Sequence, residues 1–183
     1  MIVYRKVYLD VWITNNTIES KSVVELGAGF FDKLSYVHTN VRTKIGIEIF
    51  KPYIDNAKYD DCIKINGNII DYKNLLVNQE LNTVMIIDVL EHFNKDVAYK
   101  LINDLKKDFN KILLMMPIGV FPQNMDAIDF GNDEYQTHRS YWYTYDIDNL
   151  KFNDNIVDPE FHATPIRKIN NMDTACYFGV WKK

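Results

Sequence analysis

The stretch VVELGAGFF, Val23 to Phe31, is an apolar run broken by one acid and closed by two glycines and two phenylalanines. A glycine-rich loop directly after a strand lets a ligand approach the backbone, because glycine lacks a Cβ and accepts positive φ. Gly27 and Gly29 alone fit a dinucleotide, a nucleoside triphosphate, another nucleoside, or a bare strand-to-helix turn. The remainder of the chain has to decide between them.

A chain of 183 residues is long enough for one domain with a sizeable core and short for two, so residues 1–183 are read as a single domain. Hydrophobic residues make up 47% and charged residues 25%, the profile of a soluble globular protein. The formal net charge of −4 supplies no global positive field toward nucleic acid or an anionic membrane. Lys106-Lys107 and Lys182-Lys183 read as solvated faces. Cys62 and Cys176 are far apart and form no CxxC pair, which suggests buried free thiols and a reducing compartment. Arg5, Lys6 and Asp10 interrupt any signal-peptide core. No run approaches the roughly 20 apolar residues of a membrane span. A cytoplasmic protein is expected.

Working outward from the glycine loop, short apolar runs recur. SVVEL (22–26), KIGIE (44–48), CIKI (62–65), TVMIID (83–88) and KILLMM (111–116) are Val/Ile-rich and mostly continuous. Such runs suit strands covered on both faces, as in a parallel sheet between helix layers. Between them lie helices. Pro52 can take the first helical position of KPYIDNAK. Lys95 to Phe109 carries Val97, Leu101, Ile102, Leu105 and Phe109 on one stripe, with Asn94 as N-cap. The pattern predicts an α/β fold with right-handed crossovers. After KILLMM the rhythm breaks, and Pro117 to Tyr143 reads as a long functional loop. A short helix over 145–150 with Thr144 as cap, a strand at NIVD (155–158) and a final strand in DTACYFGVWKK complete the reading.

Ligands of an open parallel sheet bind beyond the carboxyl ends of its strands. Those ends carry Glu25, Gly27 and Gly29; then Glu48; then Gly67-Asn68-Ile69; then Asp88, Val89, Leu90, Glu91 and His92. A carboxylate at Glu48 can receive two ribose hydroxyls, and its spacing from Gly27 matches that role. Glu25 and Asp88 would repel a pyrophosphate but suit an ammonium or sulfonium group. That favours S-adenosylmethionine (SAM) over NAD.

VVELGAGF, GIEIFKPYIDNAK, INGNII and IIDVLEHF, in this order and spacing, resemble the successive motifs of class I SAM-dependent methyltransferases. The resemblance covers Ser22 to about Met116. PIGVFPQ and YQTHRSYW are similar to a subgroup of poorly characterised bacterial members. The resemblance implies a Rossmann-like sheet, mostly parallel, with helices on both faces and a C-terminal antiparallel strand. It also implies that Gly27 and Gly29 line the methionine part of SAM, with Glu25 near its ammonium. Glu48 would hold the ribose, Ile49 would lie against adenine, and Asn68 with the Ile69 amide would read the adenine edge. Asp88 and Val89 would close the methionine end. The chain departs from the family in two places: Asn68 stands where Asp is common, and Phe31 where many members have a third glycine.

The acceptor side rests on residue chemistry. His92 either orders the loop after the fourth strand or acts as general base, and His138 in YQTHRSYW, in the long loop expected to cover the acceptor, is a second candidate base. Arg139 pairs either with an anionic acceptor or with an acid such as Asp133 or Glu134. Tyr135, Tyr141, Trp142, Tyr143 and Tyr145 form either a lid over the acceptor or packing of the loop. Tyr135, Arg139 and Trp142 are taken as the acceptor-binding set, and no metal-ligand set is assigned. Asp71 reads as a helix cap. The absence of an Asn/Asp-Pro-Pro-aromatic motif and of a Pro-Cys nucleophile argues against nucleic-acid methylation. A small or sugar-like acceptor, methylated at oxygen or nitrogen, is expected. The rivals are an NAD-dependent oxidoreductase and a non-catalytic SAM-fold scaffold.

Overall fold

The computed structural model describes residues 1–126, 130–161 and 175–183. Among them, eight strands form one sheet: β1 (Ile2–Tyr4), β2 (Ser22–Leu26), β3 (Thr43–Glu48), β4 (Ile63–Asn66), β5 (Thr83–Ile87), β6 (Lys111–Ile118), β7 (Asp154–Asp158) and β8 (Ala175–Lys182). Hydrogen-bonded neighbours run β1-β7-β8-β6-β5-β2-β3-β4. The helices are α1 (Leu9–Thr17), α2 (Lys51–Asp55), α3 (Tyr72–Leu75), α4 (Lys95–Asp108), α5 (Asp133–Gln136) and α6 (Thr144–Leu150). The expected α/β architecture is present, with its mostly parallel sheet and antiparallel C-terminal strand. No helix among the described residues is long and apolar enough to cross a membrane.

The described chain groups into two compact units. One comprises Tyr8–Ile87, Leu105–Leu113 and Lys183. Here β2 pairs in parallel with β3 and with β5, and β3 pairs in parallel with β4. Every residue of β2 and β5 is buried, which is why these strands are continuous apolar runs rather than alternating ones. Beyond them, Tyr72 and Phe109 meet with ring centroids 6.1 Å apart, and the Tyr72 hydroxyl donates to Asp108.

The other unit comprises Met1–Val7, Asp88–Asp104 and Leu114–Lys182. In it β1 runs parallel to β7, and β7 antiparallel to β8. Asp158 is buried at the end of β7. Its carboxylate is satisfied by the Val7 amide at 2.7 Å and the Glu160 amide at 2.9 Å, the pairing a buried charge needs. β1 and α1 have no counterpart in the sequence reading. β1 is three residues long and mostly exposed, so neither a run nor an alternation marks it.

Other differences are local. The buried stripe of α4 uses Ala98 in place of Val97, which is 40% exposed; spacings of three and four from Leu101 and Ile102 lead back to residue 98. Thr144 is the first helical residue of α6 rather than its cap. Instead the Tyr143 amide donates to the Asp146 carboxylate at 2.9 Å, so the acid in the first turn supplies the cap. Asp71 stands at the N-cap of α3 without a side-chain bond. Cys62 is half-buried just before β4, whereas Cys176 is fully buried, and both are free thiols.

Candidate functional site

The glycine loop leaves β2 through Gly27 and Gly29, both at positive φ (72° and 53°). The Gly27 and Ala28 amides donate to the Ile47 carbonyl at 2.9 and 3.0 Å, so the turn is fastened to β3. The Gly29 amide donates to Glu48 Oε2 at 2.9 Å, and the Phe50 amide to Glu48 Oε1 at 2.8 Å. Each carboxylate oxygen thus holds one backbone donor and keeps further lone pairs for a ligand. Burial pushes the Glu48 carboxyl upward, and the Phe50, Gly29 and Ile49 amides pull it back.

Phe31 occupies the place of the missing third glycine in the left-handed region, φ 63°, as a fully buried side chain. Non-glycine residues adopt that conformation at a cost. The compensation is packing: a Cβ built on Gly46 would lie 2.5 Å from Phe31 Cδ1 and 2.9 Å from the Ala28 Cβ. Gly46 in β3 therefore makes the room that the Phe31 ring fills. The segment after it, Asp32–Tyr36, is a short 3-10 turn.

Glu25 lies on β2 between Gly46 and Met85 of the neighbouring strands. It is 1% exposed, and neither carboxylate oxygen has a hydrogen-bond partner. Burial raises its pKa to about 8, opposed by Lys33 and reinforced by Asp32 and Glu48. A buried, unsatisfied carboxyl costs roughly 1–3 kcal/mol or more, so its retention beside a ligand loop points to a use. At the next strand end, the Asn66 side-chain amide donates to the Glu48 and Ile49 carbonyls, each at 2.9 Å. Asn68 is exposed, and its Oδ1 accepts from the Ile70 amide at 3.0 Å. Its carbonyl oxygen thus shapes the turn, leaving its NH2 group to offer a ligand. Ile69 is buried beside it. Glu25, Gly27, Gly29, Glu48, Ile49, Asn68 and Ile69 all fall in one unit.

Asp88, Val89, His92 and His138 fall in the other. Asp88 takes a positive φ of 52°, and its amide donates to the Met115 carbonyl at 3.0 Å. Val89 is buried, and a 3-10 turn, Leu90–His92, follows. The loop carrying His138 is fastened to that turn. The Arg139 and Ser140 amides donate to the Glu91 carbonyl at 2.8 and 3.1 Å. The Arg139 guanidinium donates to the His92 carbonyl at 2.9 Å and the Glu134 carbonyl at 2.7 Å. Arg139 thus binds backbone carbonyls, where the sequence suggested an acid or an acceptor. The two imidazoles meet edge to face, centroids 4.9 Å apart. Burial, and then His138, lower the His92 pKa to about 4; so weak a base has little drive to take a proton at neutral pH. Glu91 is buried, and burial with the neighbouring Asp88 charge holds its carboxyl well above the usual range. Sequence reasoning passed over Glu91, although the adjacent pair Glu91-His92 was the available signal.

The aromatic residues divide. Trp142 is fully buried, packs on Tyr99 at 5.3 Å, and donates its indole N–H to Ser140 Oγ at 3.0 Å; its surroundings are those of core. Tyr143 and Tyr145 stack at 5.4 Å, and the Lys95 ammonium lies 5.6 and 5.7 Å from their rings. Tyr135, Tyr141 and Tyr145 are exposed.

No protein-family model matches the sequence, and no curated protein does. Solved structures match in fold. The N-terminal domain of EvdMO1, crystallised in the presence of SAH and D-fucose, aligns with a TM-score of 0.63 at 11% identity, over 94% of this chain and 80% of that one. A SAM-dependent methyltransferase from Archaeoglobus fulgidus aligns with 0.59 at 15% identity, over 96% and 93%. The small RNA methyltransferase HEN1 aligns with 0.62 at 13% identity, over 96% of this chain and 26% of its own. The chain has the fold of the SAM-dependent methyltransferases.

Proposed function

We propose that the chain is a SAM-dependent methyltransferase that methylates a small or sugar-like acceptor at oxygen or nitrogen. The observation that carries this reading is the Glu48 carboxylate, fixed by the Gly29 and Phe50 amides beside the glycine loop. In that position it can take the two ribose hydroxyls of a nucleoside. Glu25 adds a buried, unpartnered carboxyl suited to an ammonium, and Asn68 and Ile69 would face the adenine. SAM supplies an electrophilic methyl group on a positively charged sulfur. The chain's own residues then have to orient the acceptor, in line and about 3–3.5 Å from that carbon. His92, His138, Tyr135 and Arg139 are proposed for the acceptor.

A small acceptor is supported by the net charge of −4 and by the D-fucose accompanying EvdMO1; the likeness to HEN1 makes RNA the competing acceptor class. Titration calorimetry tests the cofactor. SAH should bind with one site per chain and NAD should not. Binding of NAD alone would overturn the proposal. Acceptor classes are separated by methyl transfer from labelled SAM to a sugar panel and, in parallel, to short RNA.

A further inference from the structure

We propose that Glu91, His92 and His138 form a binding site for a first-row divalent metal ion such as Mn2+, Co2+ or Zn2+. Each residue offers one ligand atom, and these atoms lie within 4.8 Å of one another. Metal–ligand bonds of about 2.1 Å place adjacent ligand atoms about 3–3.5 Å apart, so small side-chain rotations close the set onto a common ion.

Two independent features separate this cluster from a chance meeting of polar groups. The first is the orientation of the histidines. His92 Nδ1 lies 3.3 Å from the Thr137 carbonyl, and His138 Nδ1 lies 2.6 Å from the Phe121 carbonyl. A carbonyl only accepts, so Nδ1 is the donor in each bond, and Nε2 is the ring atom that would serve as a metal ligand. A backbone carbonyl on the far ring nitrogen is the arrangement that orients metal-bound histidines. The second is Glu91. Its side chain is 2% exposed, and its Oε2 has no hydrogen-bond partner. A buried carboxyl oxygen without a donor thus stands beside two imidazoles, a donor set that a divalent cation would complete.

The scaffold holds the set in place. The two segments are joined by the Arg139 and Ser140 amides on the Glu91 carbonyl, by the Arg139 guanidinium on the His92 carbonyl, and by the His138 amide on the Gln123 carbonyl at 2.8 Å. Two imidazole nitrogens and one carboxylate oxygen suit a borderline divalent ion rather than Ca2+ or a thiolate-seeking one. Three protein ligands leave at least one position for water or for an acceptor oxygen. Binding of the ion rests on these residues alone; only its service to an acceptor rests on the methyltransferase reading.

The test uses the full chain, stripped with chelator and titrated with Co2+ alone, with absorption between 500 and 650 nm recording its ligand field. The expected result is one equivalent of Co2+ with visible bands of a nitrogen–oxygen site. Glu91→Gln and His138→Ala should each weaken it at least about tenfold, since even the loss of an outer partner costs that much; His38→Ala should not. Circular dichroism confirms that each variant is folded. Wild-type protein without bands, or bands that persist unchanged in both ligand variants, would overturn the assignment. Because no SAM is present, failure of SAH binding in the separate titration would remove the methyltransferase reading and leave this one intact.

Discussion

The Gly29 amide donates to Glu48 Oε2 at 2.9 Å, joining two positions 19 residues apart in the chain. The same carboxylate that is suited to a ribose therefore also holds the shape of the glycine loop. Removing it should disturb cofactor affinity in two ways, by losing a ligand contact and by loosening the loop.

Glu48→Ala is accordingly expected to weaken SAH binding about ten- to a hundredfold, the size of one or two charge-assisted hydrogen bonds. Titration calorimetry reads the loss. A fall in melting temperature with unchanged affinity would show that Glu48 acts only as a fastener of the loop.

Glu25 makes stability depend on pH. Its pKa is raised from 4.5 to about 8 by burial, so between those values the folded chain keeps a proton that the unfolded chain has released. Stability of the free protein should therefore fall as pH rises through that window, by about 1.4 kcal/mol per pH unit, and level off above it. Glu25→Gln should flatten that slope in urea titrations at a series of pH values. If an ammonium pairs with the ionised group, SAH affinity should rise with pH up to about 8, with proton release visible as a buffer-dependent binding enthalpy.

Phe31 and Gly46 form one packing unit, since a Cβ on Gly46 would meet the Phe31 ring and Ala28. Gly46→Ala should cost about 1–3 kcal/mol by overpacking. Phe31→Leu in the same chain should recover part of the loss, a coupling that a double-mutant cycle in urea measures. Strict additivity would remove the proposed contact.

Of the two readings of Trp142, lid over the acceptor or packing of the loop, its full burial against Tyr99 fits packing. Trp142→Ala is expected to destabilise the fold by about 3–5 kcal/mol. Thermal melting should register this as a drop in midpoint; an unchanged midpoint with impaired turnover would return Trp142 to the acceptor.

Much of the fold was legible because its strands are buried on both faces. Every position of SVVEL and TVMII is buried, and apart from Ser22, Glu25 and Thr83 both runs are apolar, the pattern of strands covered on both faces. β1 escaped because a three-residue, mostly exposed edge strand has no pattern of its own and exists through its pairing with β7. The extent of α2 was overread for a related reason, since Pro52 marks a helix start but nothing in KPYIDNAK marks the stop at Asp55.

By itself the sequence determined the order of strands β2 to β8 with α2, α4 and α6 between them, the glycine loop and the acids placed after it, because hydrophobic period and turn chemistry are local properties of the chain. Only the tertiary structure decided that Phe31 fills the space above Gly46, that Arg139 binds carbonyls rather than an acid, and that His138 stands against His92 and Glu91. Between His92 and His138 lie α4, β6 and then a stretch without a period of its own. Their meeting depends on backbone hydrogen bonds to the Glu91 carbonyl, and such bonds draw on groups that every residue possesses, so they leave no mark in the amino-acid sequence.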